Sequence, residues 1–346
     1  MTSDTATRTP GSRSPGVAEE GKGAPWRGVL RWESALVVVL AGTLIFGSST
    51  SPYFLNPSNF FYIGLNMGEI AIMALPLTLI IMTGEIDLSV ASMLGLSGTV
   101  MGYLFSDGWS IWLAMAVALA VGVLGGALNG VLVARVGLPS IAVTIGTLTL
   151  FRGITEILLA PRTITGFPLS LTRIGVVPIP GTQIAYSAAI FLVLAVVAGI
   201  VLHATPLGRR IVAIGLQREA AKFAGVRVNR IKFWLFVLSG VVCAFAGILL
   251  TLKNASVSYD AGTGLELNVV AIVLFGGVSI FGGRGTIVGV VLSVAIVGCL
   301  LQALTQRNVQ PEVQNIIIGI LLLISVVIPN GREAIRRIRE RARRHA

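Results

Sequence analysis

A chain of 346 residues with 54% hydrophobic and 12% charged side chains lacks the charge to cover a soluble core, since soluble domains carry about 25% charged residues. Its mean hydropathy of +0.87 and its 41 glycines fit a polytopic membrane protein, where lipid-facing helices need no polar surface and small residues let backbones approach. The net charge of +11 lies on the flanks of apolar runs, so it reads as an orientation signal with affinity for anionic lipid, not as a nucleic-acid surface.

Residues 1–25, MTSDTATRTPGSRSPGVAEEGKGAP, are rich in Ser, Thr, Gly and Pro without apolar periodicity. They are expected to be a disordered cytoplasmic tail with no cleavable signal. Residues 26–330 form the transmembrane domain. Ten spans are expected at about 33–50, 59–83, 88–105, 109–135, 139–160, 184–203, 231–252, 265–282, 285–304 and 311–329. The fold class is therefore all-α. Residues 331–346 form a basic cytoplasmic tail. With the N-terminus inside, 21 of the 26 Lys and Arg residues fall on the inner side, which places both termini in the cytoplasm. The segment 204–230 is then a cytoplasmic loop, and Lys253 lies outside.

Between the second and third spans stands GEIDLSVAS, residues 84–92. Two acids in an apolar region are costly at the centre of a lipid-exposed helix, by roughly 2.5–3.5 kcal/mol each. Glu85 and Asp87 avoid most of that cost by lying at a break, where Gly84 and the short polar stretch through Ser89 place them near the inner interface. Asp87 followed by Ser89 has the pattern of a helix start. A cap at a tight turn and a mechanical contact both fit.

Deeper in the membrane lie Glu69, Arg152, Glu156 and Glu266. Glu69 and Arg152 stand at nearly the same depth on different spans, so an ion pair between them is expected. Arg152 and Glu156, at i and i+4, can also pair. These groups either hold spans together or line the path of a polyhydroxylated solute. Asn66, Thr144, Thr147 and Thr149 add hydrogen-bonding capacity. Cys243 and Cys299 lie in apolar runs as small packing residues. The two histidines have no ligand-spaced neighbour, and no HExxH, CxxC or GxxxxGK[ST] occurs. Neither a metal site nor a nucleotide site is expected.

GEIDLSVASMLGLSG resembles the G-x-D-L-S-V-G-S signature of sugar-type ABC importer permeases, the ribose, xylose and arabinose group. GLPSIAVTIGTLTLFRG (137–153), VVAIVLFGGVSIFGGRGTIVGVVLSVAIVG (269–298) and VQPEVQNIIIGILLLISVVI (309–328) resemble further stretches of that family in order. RWES and TLTLFRG…GFP lean toward its rhamnose and autoinducer-2 branch. Ala91 departs from the signature's Gly, so this position needs no positive φ. EAAKFAG (219–225) resembles the E-A-A-x-x-x-G coupling motif, without its terminal Pro part. A short helix ending at a Gly225 cap is expected there. Arg218, Glu219, Ala220, Ala221, Lys222 and Gly225 are the candidate contacts to an ATPase, with the two alanines allowing close approach. Positive-inside bias alone would also explain the charge.

The resemblance implies a transport subunit of the bacterial plasma membrane that is not itself an enzyme and needs no cofactor. It implies three kinds of partner: a cytoplasmic ATP-binding subunit, a second permease copy or sister permease, and an extracytoplasmic solute-binding protein. A branched-chain amino-acid-type permease and an ion-coupled secondary transporter are the alternatives.

Overall fold

The computed structural model describes residues 26–327; both expected tails lie outside the described residues. In chain order the elements are α1 (Trp26–Thr50), α2 (Pro57–Met82), α3 (Val90–Ser106), α4 (Ile111–Gly130), α5 (Ser140–Leu159), β1 (Thr163–Thr165), α6 (Leu169–Val176), α7 (Tyr186–Ala204), α8 (Pro206–Leu216), α9 (Arg218–Phe223), α10 (Val228–Asn254), β2 (Ser256–Ser258), α11 (Leu265–Phe275), α12 (Ile287–Gln306) and α13 (Pro311–Val327). A wider π-type turn, Val131–Val136, extends α4.

Seven of these helices are long and apolar enough to cross a membrane. α3, α11 and α13 are apolar but shorter, and together with the seven they match the ten expected spans. The chain is an all-α polytopic membrane protein. The eighth span differs from expectation. α11 stops at Phe275 after 11 residues, about 16 Å at 1.5 Å per residue. Residues 276–286 then run without helix, because Gly277, Gly282 and Gly283 take φ of +88°, +84° and +73°, which side chains on L-residues disfavour. Hydropathy is blind to that choice.

Local chemistry sets the helix starts. Asn56 caps α2 by accepting from Ser58 N at 3.0 Å, with Pro57 in the first turn. Thr286 caps α12 by accepting from Gly289 N at 3.0 Å. Both follow the preference for a side-chain oxygen over free helix N–H groups.

α2 and α10 form the centre, and 83% of the apolar window of α2 is buried against 11% for α1. α10 packs on α4, α3 and α2. The α4–α10 crossing depends on glycine: a Cβ on Gly122 would lie 2.6 Å from Gly240 O, and one on Gly126 would lie 2.5 Å from Phe236 O. Close backbone approach of this kind supplies the packing that hydrophobicity cannot between helices in lipid. Cys243 and Cys299 are buried and unbridged within this packing. At one end of the bundle, β1 and β2 pair antiparallel with Ile164 opposite Val257. This three-residue ribbon had no sequence signal, since its loops are too short to show alternation.

Candidate functional site

The first polar centre is the break between α2 and α3. Gly84 turns the chain at φ +79°, and its N–H donates to Ile81 O at 2.9 Å. Residues 85–89 belong to neither helix nor strand, and α5 supplies the partners of Ile86. Ile86 N donates to Ser140 Oγ at 3.1 Å. Thr144 Oγ1 is shared between Ser140 O at 2.8 Å and Ile86 O at 3.3 Å. Non-helical backbone at such a place is tolerated only when it is buried and satisfied by protein.

The two acids of the break do different things. Glu85 forms an ion pair with Lys232, a buried residue in the first turns of α10. Asp87 is 3% exposed and accepts three hydrogen bonds without a cation. Its Oδ1 takes Ser89 N at 3.0 Å and Ser89 Oγ at 2.6 Å, and its Oδ2 takes Ser239 Oγ at 3.0 Å. Asn129 Nδ2 donates to Ser89 Oγ at 2.8 Å. The network fastens α4 and α10 to the start of α3. Asp87 thus sits at a helix start, while Glu85 makes a contact between helices. Lys232, Asn129 and Ser239 were missed from sequence. Each heads or interrupts an apolar run, where positive-inside bias or packing already explains it.

The second break, residues 276–286, meets the first. Gly283 N donates to Met82 O at 2.9 Å. A Cβ on Gly282 would lie 2.8 Å from Gly84 N and 3.0 Å from Gly215 Cα. α1 closes the other side: Trp32 Nε1 donates to Phe275 O at 3.3 Å, and Thr286 Oγ1 donates to Glu33 Oε1 at 2.6 Å.

The expected Glu69–Arg152 pair does not form. Glu69 Oε2 accepts from Lys253 Nζ at 2.6 Å, and Lys253 also donates to Leu65 O at 3.0 Å. Arg152 Nη1 donates to Ala261 O at 2.6 Å. The reason is packing. α2 lies on α10, whereas α5 lies on α3, so equal depth along two helices does not make them neighbours. Lys253 accordingly stands in the last turn of α10 with its side chain turned back into the protein, rather than in an outer loop. The Arg152–Glu156 pair is also absent among the ion pairs of the described residues. The hydrogen bond to Ala261 O is what holds the Arg152 head group. Gly95 of α3 makes room for it, since a Cβ there would lie 2.6 Å from Ala261 O and 3.0 Å from Arg152 Nη1. Arg152 Nη2 and Glu266 Oε2 are buried and have no hydrogen-bond partner among the described residues.

The other pathway candidates divide. Thr144 and Thr147 are buried and bond to backbone carbonyls of their own helix. Asn66 and Glu156 are exposed on α2 and α5. The structure therefore does not gather the six candidates into one cluster.

α8 and α9 form a small unit beside the two breaks. Thr205 caps α8, and Ile211 and Ile214 turn inward while Arg209 and Arg210 stay exposed. α9 ends in a Schellman motif, as the Gly225 cap required. Gly225 has φ +81°, its N–H donates to Lys222 O at 2.9 Å, and Val226 N donates to Ala221 O at 3.0 Å. Lys222 pairs with Glu219 at 2.8 Å, and that hydrogen bond holds the Glu219 carboxyl below the usual carboxylate range. Ala221 departs from expectation. It is buried against Ile214 and Val228, so it packs the unit internally and presents nothing outward. Arg218, Ala220 and Phe223 face out, and Phe223 is 91% exposed. Phe223 was missed because an apolar residue on an amphipathic helix reads as its buried face.

No metal-holding group of His, Cys, Asp and Glu occurs among the described residues. The chain is 33% identical over 304 residues to the ribose import permease protein RbsC of Escherichia coli strain K12, covering 87% of this chain and 94% of that protein. It is 32% identical over 309 residues to the autoinducer 2 import system permease protein LsrD of Klebsiella pneumoniae subsp. pneumoniae, covering 86% and 91%. With the ribose import permease protein RbsC of Bacillus subtilis strain 168 it shares 33% identity over 299 residues, covering 84% and 90%. No solved structure matches. Residues 59–326 match the family described as branched-chain amino acid transport system / permease component, and the chain, a set of apolar helices around two buried breaks, belongs to that family of permease components.

Proposed function

We propose that this chain is the permease subunit of a bacterial ABC importer that carries a sugar or sugar-like solute across the plasma membrane. The observation that carries the reading is the α8–α9 unit. A capped helix stands at the surface with Phe223 91% exposed, and Arg209, Arg210, Arg218 and Arg227 of the same 206–228 segment are exposed as well. An exposed aromatic side chain on a segment rich in exposed cations suits insertion into an apolar cleft with an acidic rim, which fits a separate ATP-hydrolysing subunit. Both chain termini are then cytoplasmic.

The solute class is supported by the relatives, which are named for ribose and autoinducer 2 import. Arg152 Nη2, a donor, and Glu266 Oε2, an acceptor, are both buried without a partner among the described residues, and free capacity of that kind suits a hydroxylated solute. A branched-chain amino acid is the second reading, favoured by the family's own description. A second permease chain is supported by one face of α5. Gly146, Thr149, Gly153 and Glu156 fall on that face, Thr149 and Glu156 are exposed, and a Cβ on either glycine would meet nothing within 4 Å. A carboxylate facing lipid is costly, and a facing permease with a wet path between the two relieves that cost. An extracytoplasmic binding protein completes the assembly and sets selectivity.

One preparation tests this reading. The assembly purified with its ATPase should have a mass containing two permease chains. In liposomes, given the cognate binding protein, it should import members of a sugar panel in an ATP-dependent way. ATP-driven import of branched-chain amino acids with no response to any sugar would establish the second reading instead.

A cysteine at position 223 tests docking and orientation together. Cys243 and Cys299 are buried, so Phe223→Cys is expected to be the only reactive thiol. An impermeant maleimide should label it in inverted vesicles stripped of the ATPase and not in intact cells. Adding the ATPase should protect it about tenfold or more, as burial at the centre of an interface implies. Labelling in intact cells would reverse the orientation, and labelling undiminished by an ATPase that still co-purifies with the Phe223→Cys chain would remove α9 from the interface.

A further inference from the structure

We propose that Gly215 is a positioning residue that carries movement of the docking helix to both membrane breaks at once. The proposal rests on the docking reading above. Three segments distant in sequence meet at this residue through backbone alone. A Cβ on Gly215 would overlap the carbonyl oxygen of Met82, at the end of α2, and the amide nitrogen of Gly283, in the second break. Neither atom can rotate away, because Gly283 N and Met82 O are bonded to each other at 2.9 Å. Gly282 completes the contact, lying against Gly84 N and Gly215 Cα. From the other side Leu216 is keyed to the same place, since a Cβ on Gly283 would lie 2.8 Å from Leu216 Cγ and Cδ2.

The link from Gly215 to the docking surface is equally short. Gln217 alone separates α8 from α9. Its N–H donates to Ala213 O at 3.1 Å, and its carbonyl accepts from Ala221 N at 3.0 Å. Ile214 and Ala221 share one buried cluster with Val228. α8 and α9 therefore move as a unit, and a displacement of Phe223 reaches Gly215 without an intervening flexible joint. At Gly215 it acts on the hinge between α2 and α3 and on the hinge between α11 and α12. Glycine in the last turn of a helix costs up to about 1 kcal/mol relative to alanine. The steric demand of the two breaks accounts for its presence, and mechanical transmission accounts for why a cytoplasmic helix touches them at all.

The test uses the assembled importer in liposomes with its ATPase and binding protein. Capture of the ATPase by the unchanged chain is measured first, and its failure refutes the docking reading independently of Gly215. Two variants follow. Gly215→Ala adds the overlapping methyl group. Insertion of two glycines after Gln217 leaves Gly215 seated and makes the α8–α9 joint flexible. Both are expected to capture the ATPase and hydrolyse ATP, while solute imported per ATP falls about tenfold, a size typical of residues along a coupling route. Wild-type import per ATP in either variant overturns the proposal. If Gly215→Ala does not fold, the insertion variant decides alone, since it leaves every contact of Gly215 in place.

Discussion

Glu69→Gln is expected to remove most of the folded protein recovered in detergent, and Lys253→Met to do the same. The two side chains are 3% and 14% exposed and pair at 2.6 Å, so removing either leaves an uncompensated charge inside the helix bundle. Breaking a buried pair from one side costs about 3–5 kcal/mol, which is a large share of the stability of a folded domain. Lys253 adds a bond to Leu65 O at 3.0 Å, so its loss also frees a carbonyl. The double variant Glu69→Gln with Lys253→Met leaves no orphaned charge and should recover much of the loss. Monodispersity on size-exclusion chromatography and the thermal midpoint in detergent give the readout. Equal loss in the double variant would show that each residue acts separately, for example on solute. By contrast Arg152→Gln removes a bond to one carbonyl and should fold, with its effect appearing in uptake.

Asp87→Leu is expected to be about as damaging, and Asp87→Asn to be mild. The carboxylate serves Ser89 N, Ser89 Oγ and Ser239 Oγ, all buried. Leucine leaves these donors without an acceptor, and each buried orphan costs about 1–3 kcal/mol. Asparagine keeps one oxygen for Ser89, while its amide can donate to the Ser239 hydroxyl, which turns to accept. The comparison separates hydrogen bonding from charge. If Asp87→Asn unfolds the protein as Asp87→Leu does, the negative charge itself is required and the network is not its reason. Glu85→Gln should be intermediate, because it leaves Lys232 buried without its partner.

What the sequence by itself determined was whatever depends on composition and short-range pattern. Ten apolar runs, the helix cap at Gly225 and the break at Gly84 are local consequences of burial, capping and backbone freedom. Each is decided within a few residues, so each is legible in order along the chain. The family motifs added the transport reading in the same way, stretch by stretch. What only the tertiary structure decided was which groups meet. Glu69 found Lys253 and not Arg152, because depth along a helix says nothing about which helix lies beside it. Glu85 found Lys232, whose charge already had an orientation reading. Ala221 turned inward and Phe223 outward, because six residues of helix are too few for periodicity to show which face is covered. The contact of Gly215 with Met82 and Gly283 is made of backbone atoms, and a glycine has no side chain through which a sequence could announce it.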